Sequence, residues 1–144
     1  MKRILLTWVL IALSVPAVSG VIDDVRGALA QNNFQAAEAQ LHAYRSRQGV
    51  TPEYVEALSW MARGSLAAKQ LDQAQSYAQE TASLTQSQLK GKKLDSDDHL
   101  ATALGASYEV QAQVLAEQGK KPQATALLKS ALATYGTTSI GPRL

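Results

Sequence analysis

The sequence predicts an all-α fold of about three antiparallel helical hairpins stacked one against the next. The first observation behind this prediction is that a tight turn followed by a helix with small apolar residues on one face occurs three times. The second is composition, since hydrophobic residues make up 46% of the chain and aromatic residues only 6%. Helices that pack through small side chains fit this balance better than a β-sandwich, which favours β-branched and aromatic residues.

The clearest copy of this turn and helix runs from Gly119 to Ala131. Ala124, Leu128 and Ala131 are spaced four and three residues apart, so they form one apolar stripe along a helix. Small residues in such a stripe allow a second helix to approach closely. Short connections between successive helices require the two helices of each pair to lie antiparallel.

The first 20 residues have the composition of a secretory signal peptide. Lys2 and Arg3 precede an apolar run from Ile4 to Val15, and Pro16 and the small residues at 17–19 follow it. A membrane anchor is the alternative, but the apolar run is shorter than the roughly 20 residues that span a bilayer. We therefore predict cleavage after residue 19 or 20. The protein is expected to be exported, periplasmic in a bacterium, with no stable membrane insertion after cleavage.

Charge and residue inventory exclude several classes of function. Two of the 14 lysines and arginines lie in the predicted signal peptide, which leaves 12 against 12 acidic residues. A neutral chain gives no electrostatic reason to expect nucleic acid as a partner. The absence of cysteine excludes disulfides, thiolate metal sites and cysteine nucleophiles within these 144 residues.

Catalytic motifs are also missing from the sequence. His42 and His99 are the only histidines, and there is no nucleophile elbow, glycine-rich phosphate loop or His-Glu-x-x-His motif. Glu53 and Glu56 lie three residues apart, as carboxylates on a solvated helix face often do. We therefore predict that the chain is not an enzyme and has no catalytic residues, cofactor or metal.

The predicted helices begin and end at recognisable signals. The clearest start is Thr51-Pro52-Glu53, where a capping hydroxyl, a proline at the first helical position and an early acid agree. The predicted segments are about Ile22–Ala30, Phe34–Arg47, Pro52 to a turn near Lys69–Gln70, Leu71 to Thr85, the acidic cluster 95–98 to a turn at Gly119, and the final helix to Tyr135–Gly136.

Two polar stretches in the second half of the chain each admit two interpretations. The stretch from Thr85 to Lys93, rich in lysine, predicts a loop of about six to ten residues, either a solvated connection or a basic binding patch. His99 follows a cluster of acids, which suggests either a metal site or a helix N-terminal cap. Calcium-loop geometry disfavours the metal, because Leu100 and Ala106 occupy the positions that need glycine and glutamate.

The three turns can be superimposed in sequence, with spacings of 37 and then 50 residues. The superposition aligns small or apolar residues at five positions. These are Ala37, Ala74 and Ala124; Leu41, Ala78 and Leu128; Tyr44, Thr81 and Ala131; Val25, Ala62 and Ala112; and Val21, Leu58 and Tyr108.

With these positions the chain resembles the tetratricopeptide repeat family, whose unit is about 34 residues long. The resemblance covers 21–136, and Phe34 and Gly119 stand where that family favours an aromatic residue and a glycine. The chain departs from the family pattern in its irregular spacing. The family's early tryptophan is replaced by Val21, Leu58 or Tyr108, and its usual glycine is absent. An array of α-hairpins without common repeat ancestry is the alternative.

The resemblance implies a curved stack whose first helices line a concave groove that holds a peptide or a partner protein. Arg26 and Arg63 occupy the same repeat position, one that the family points into the groove, and Gln113 is the third equivalent. Such arginines would bind an acidic side chain or a C-terminal carboxylate. The alternative is that they are surface arginines that keep the helices soluble. The lysine and asparagine clamp of chaperone-binding members is missing.

The C-terminal residues 137–144 suggest the start of a linker or further element in a truncated protein. The chain is similar to the N-terminal helical region of exported thioredoxin-like proteins, which implies a second hypothesis. Under it, these repeats are the docking region of a thiol-disulfide oxidoreductase whose Cys-x-x-Cys lies beyond Leu144. If the protein instead ends at Leu144, a homodimer through the last helix is expected.

Overall fold

A computed structural model describes residues 20–144, which form six α-helices and two short 3-10 helices. The α-helices are α1 (Val21–Ala30), α2 (Phe34–Gln48), α3 (Pro52–Ala67), α4 (Leu71–Leu89), α5 (Asp98–Glu117) and α6 (Lys121–Tyr135). The 3-10 helices are Leu94–Ser96 and Gly141–Arg143. The predicted all-α class is confirmed. The predicted signal peptide falls on residues 1–19, outside the described residues, and stays a prediction.

The helices pack mostly antiparallel to their neighbours in sequence, with α3 and α5 at the centre. α1 packs against α2 and α3, α3 also packs against α4 and α5, and α6 packs against α5. Most of the buried side chains belong to α3 and α5, because each is covered on several sides. Within residues 20–144, none of the helices combines the length and the apolar content that a membrane span requires.

Most of the positions aligned by sequence are buried in this core. Ala37, Ala74 and Ala78 have no exposed surface, and neither do Val25 and Ala62. These small side chains are the ones that allow close packing between helices. The exceptions are two tyrosines and one leucine of the last α-helix: Tyr44, Tyr108 and Leu128 are half-buried.

The three hairpin turns share one backbone geometry. Asn32, Lys69 and Gly119 occupy the same aligned position, and all three have left-handed φ values of 54°, 61° and 77°. In each turn the next residue donates its backbone N–H to the carbonyl five residues earlier. These bonds are Asn33 to Ala28 at 2.9 Å, Gln70 to Ser65 at 2.9 Å and Lys120 to Leu115 at 2.8 Å. This is the Schellman arrangement of a helix C-terminus.

The structure corrects the predicted loop between α4 and α5. Helix α4 continues to Leu89, so residues 85–89 are helical, and the connection to α5 lies at 90–97 and includes the 3-10 turn Leu94–Ser96. Thr81, Thr85 and Leu89 are buried and recur every four residues, which keeps them on one helix face. The Thr85 hydroxyl donates to the carbonyl of Thr81 at 2.9 Å, so the buried polar group is satisfied within the helix.

Residues 137–144 fold back onto the helical domain. Ile140 is only 2% exposed and belongs to the main apolar core. The hydroxyl of Ser139 donates to Asp95 Oδ1 at 2.6 Å, and the backbone N–H of Ser139 donates to the same carboxylate. These two hydrogen bonds hold the pKa of the Asp95 carboxyl below its ordinary value. The division at residue 136 into a repeat domain and a following element stays a prediction.

Candidate functional site

An open cleft of about 630 Å³ lies between α1 and α3. Its walls include both of the aligned arginines named from the sequence, together with an aromatic ring, an acid and two glycines. These residues are Asp23, Arg26, Gly27, Trp60, Arg63 and Gly64.

The two glycines shape the cleft in different ways. A Cβ atom added to Gly27 would meet nothing within 4 Å, so the missing side chain leaves open space in the wall. A Cβ added to Gly64 would lie 2.9 Å from Leu29 Cδ2, because α1 comes close to α3 at that point. Gly64 therefore permits the helix contact, and Gly27 widens the space beside it.

Trp60 brings the two arginines together. The guanidinium carbon of Arg26 lies 4.5 Å from the centroid of the Trp60 ring, and that of Arg63 lies 5.0 Å from it. Both distances are within the range of a cation–π interaction. Trp60 and Arg63 are three residues apart and so lie one turn apart on α3, whereas Arg26 reaches the ring from α1.

Arg63 is also part of an ion-pair network that extends to α5 and the C-terminal segment. Its Nη2 donates to Glu109 Oε2 at 3.0 Å. The other carboxylate oxygen, Oε1, accepts from Arg143 Nε at 2.8 Å and forms an ion pair with Arg143 Nη2 at 2.8 Å. Glu109 thus divides its two oxygens between two arginines.

The third predicted groove residue, Gln113, lies outside the arginine-flanked cleft. It is exposed on α5 and lines a neighbouring depression of about 380 Å³ together with Arg63 and Glu109. Arg63 borders both cavities. The structure therefore brings Arg26 and Arg63 together and places Gln113 next to Arg63 on the adjoining surface.

The sequence did not indicate the roles of Trp60, Glu109 and Arg143 in this site. The position of Trp60 one helical turn before Arg63 was the available signal. The pairing of Glu109 with Arg143 joins residues 34 apart in sequence and follows only from the folded arrangement.

The lysine-rich turn borders a separate cavity of about 550 Å³ between the ends of α4 and α6. Lys92 and Lys93 line it, but so does the carboxylate of Asp95. The cavity therefore combines both signs of charge and does not present a uniformly basic surface.

The acidic cluster before α5 caps that helix, as one interpretation of the sequence predicted. Asp97 Oδ1 accepts from the backbone N–H of Leu100 at 3.0 Å. His99 turns toward α3, with its Nδ1 2.6 Å from Glu56 Oε2 and its Nε2 4.0 Å from Glu53 Oε1. The hydrogen bond with Glu56 raises the pKa of His99, although its partial burial acts in the opposite direction.

A metal site at this cluster finds no support in the arrangement of side chains. Across residues 20–144, no group of three or more His, Cys, Asp or Glu side chains is placed to hold a metal ion. The contact between His99 and Glu56 instead joins α5 to α3.

The fold and the site together define an all-helical domain of six packed helices, within residues 20–144, that carries an arginine-flanked cleft. Comparisons of the chain with protein-family models, with curated proteins and with solved structures found no match.

Proposed function

We propose that this protein is an exported helical-repeat scaffold of the tetratricopeptide type that binds acidic segments of a peptide or partner protein. The cleft between α1 and α3 is the proposed binding site. Its role is binding without catalysis, in the periplasm if the organism is a bacterium.

The observation that carries this proposal is the pair of guanidinium groups over Trp60 at the wall of an open cleft. Guanidinium groups bind carboxylates through two parallel hydrogen bonds, and they remain charged at any physiological pH. An aromatic ring holds them in place through cation–π contact and offers apolar area to the rest of a ligand. Arginines whose only role is to keep the surface soluble are not expected to converge on one aromatic ring from two different helices.

The repeated hairpins support the same proposal at the level of architecture. One hairpin cannot bury its own apolar face, so stacked hairpins bury it together and leave an extended surface formed by successive helices. Here α1, α3 and α5 are the first helices of the three hairpins, and the contacts α1–α3 and α3–α5 make them neighbours. Arg26, Arg63 and Gln113 lie on these three helices in the same order.

The test is a peptide array of random sequences probed with the wild-type protein and with the double variant Arg26→Ala/Arg63→Ala. Bound peptides are expected to be enriched in Asp and Glu or to depend on a free C-terminal carboxylate. The double variant is expected to bind them at least about tenfold more weakly, because charge-assisted hydrogen bonds are lost.

The matched control is Arg45→Ala/Arg47→Ala, which removes the same charge from the end of α2, outside the cleft. This control is expected to retain binding. If acidic peptides bound Arg26→Ala/Arg63→Ala as tightly as the wild type, or if both double variants lost binding equally, the assignment of the cleft would be wrong.

A further inference from the structure

The C-terminal segment after α6 is attached to the helical domain at several points. The backbone N–H and hydroxyl of Ser139 both donate to Asp95, and Ile140 is buried in the core. The backbone then forms the 3-10 turn Gly141–Arg143, which brings Arg143 onto α5.

Helix α5 has a gap in its side chains where this segment lies. A Cβ atom at Gly105 would be 2.8 Å from Arg143 Nη1 and 3.3 Å from Ile140 Cγ2. Glycine at this position therefore lets the segment lie directly against the helix backbone. One turn further along α5, Glu109 receives the Arg143 guanidinium.

Arg143 changes the charge balance around Arg63, which borders the cleft. Arg63, Glu109 and Arg143 form one connected cluster with two positive groups and one negative group. Without Arg143, the charge of Glu109 would be balanced by Arg63 alone, and a ligand carboxylate would compete with Glu109 for the same guanidinium. With Arg143 on Oε1, only Oε2 of Glu109 engages Arg63.

We propose that Arg143 is a positioning residue of the anion site: by sharing the charge of Glu109, it leaves the paired Arg63 with unbalanced positive charge that can attract a ligand carboxylate beside Arg26. This inference rests on the proposed function and specifies how the acidic ligand is recognised. The C-terminal segment lies outside the cleft, so it supports the binding site through Glu109 and does not compete with the ligand for the cleft.

Titration calorimetry with an acetylated hexaglutamate peptide tests this proposal at low ionic strength, with hexaglutamine acetylated at its N-terminus and amidated at its C-terminus as the uncharged probe. Arg143→Met is expected to weaken hexaglutamate binding by about two- to fivefold, because an interaction between partly exposed charges has about this strength. Arg143→Lys is expected to restore most of the affinity, because it returns the positive charge. Gly105→Ala, whose Cβ would lie too close to the Arg143 guanidinium and shift it, is expected to weaken binding in the same direction.

A double-mutant cycle with Glu109→Gln separates this charge effect from a structural role. Glu109→Gln alone is expected to tighten hexaglutamate binding. Arg143→Met is expected to have little further effect on affinity in that background. Unchanged or tighter binding by Arg143→Met, or an equal loss in both backgrounds, would overturn the proposal.

The outcome also distinguishes failure of this inference from failure of the proposed function. If Arg26→Ala/Arg63→Ala loses hexaglutamate binding but Arg143→Met does not, only the positioning role is wrong. If the wild-type protein does not bind hexaglutamate, or binds hexaglutamine equally well, both are wrong.

Discussion

The left-handed residues of the three hairpin turns offer the simplest test at the scale of single residues. Asn32, Lys69 and Gly119 have the same conformation, but only the glycine adopts it without steric cost. Gly119→Ala is expected to lower the free energy of unfolding by about 1 kcal/mol, because alanine is strained at positive φ. Urea denaturation measures the change.

Lys69→Gly is the matched substitution in the second turn. It is expected to raise the free energy of unfolding by about 0.5 kcal/mol, because relief of strain exceeds the added chain entropy of glycine. Loss of the Lys69–Glu117 ion pair subtracts little, since the lysine side chain is 71% exposed. Shifts of the same sign for Lys69→Gly and Gly119→Ala would show that the two turns are not equivalent.

The contact between His99 and Glu56 predicts a specific dependence of stability on pH. Because the folded-state pKa of His99 is raised above 6.5, its contribution is fully present below pH 6.5 and is lost as pH rises through the folded pKa. His99→Gln is expected to cost about 0.5 kcal/mol at pH 6, since the partly exposed pair is screened by solvent. At pH 9 the cost should be smaller.

Unfolding curves of wild type and His99→Gln at pH 6 and pH 9 measure this difference. In a Glu56→Gln background the pH dependence of the His99→Gln effect is expected to decrease, because the hydrogen-bonded carboxylate is gone and only the weaker influence of Glu53 and Asp97 still favours the charged imidazole. A His99→Gln effect that increases from pH 6 to pH 9 would contradict the assigned direction.

At the scale of helices, two glycines that the sequence alignment superimposes have opposite environments. Gly27 faces open space, so Gly27→Ala is expected to stabilise the protein by about 0.5–1 kcal/mol through helix propensity alone. Gly64→Ala gains the same propensity, but Leu29 must move to accommodate the new Cβ. We therefore expect Gly64→Ala to be less stable than Gly27→Ala in thermal or urea unfolding, and equal gains would argue against the close approach of α1 and α3.

The helices also show how far sequence reasoning reaches. The start of α3 at Pro52 and the turns at Asn32, Lys69 and Gly119 were predictable, because capping and turn chemistry are local. The end of α4 was predicted too early. Its last turn is rich in Thr, Gln and Ser, and it is helical because Thr85 and Leu89 are buried by tertiary packing.

The candidate site was predictable only in part, for the same physical reason. The repeat register placed Arg26 and Arg63 at equivalent positions, which is a local property of the pattern. Their convergence on Trp60 depends on how closely α1 approaches α3. The pairing of Glu109 with Arg143 depends on the path of the C-terminal segment, which no periodicity encodes.

At the scale of the whole molecule, the outer face of α6 predicts weak self-association. Leu132 is 47% exposed, and Leu128, one helical turn before it, is half-buried. A second copy that covered these side chains would remove apolar area from water. Sedimentation velocity is expected to show reversible dimers that Leu132→Asp abolishes, and a protein that stays monomeric at the highest soluble concentration would contradict this expectation.

The most direct measurement on the proposed binding cleft uses Trp60 as the reporter. The chain has two tryptophans, and Trp8 lies in the predicted signal peptide, so Trp60 is the sole source of tryptophan emission in the protein after cleavage. Titration with acetylated hexaglutamate is expected to produce a saturable change in that emission, weakened by salt and lost in Arg26→Ala/Arg63→Ala. An emission that does not change with hexaglutamate, or that changes equally in the double variant, would contradict binding of acidic segments at this cleft.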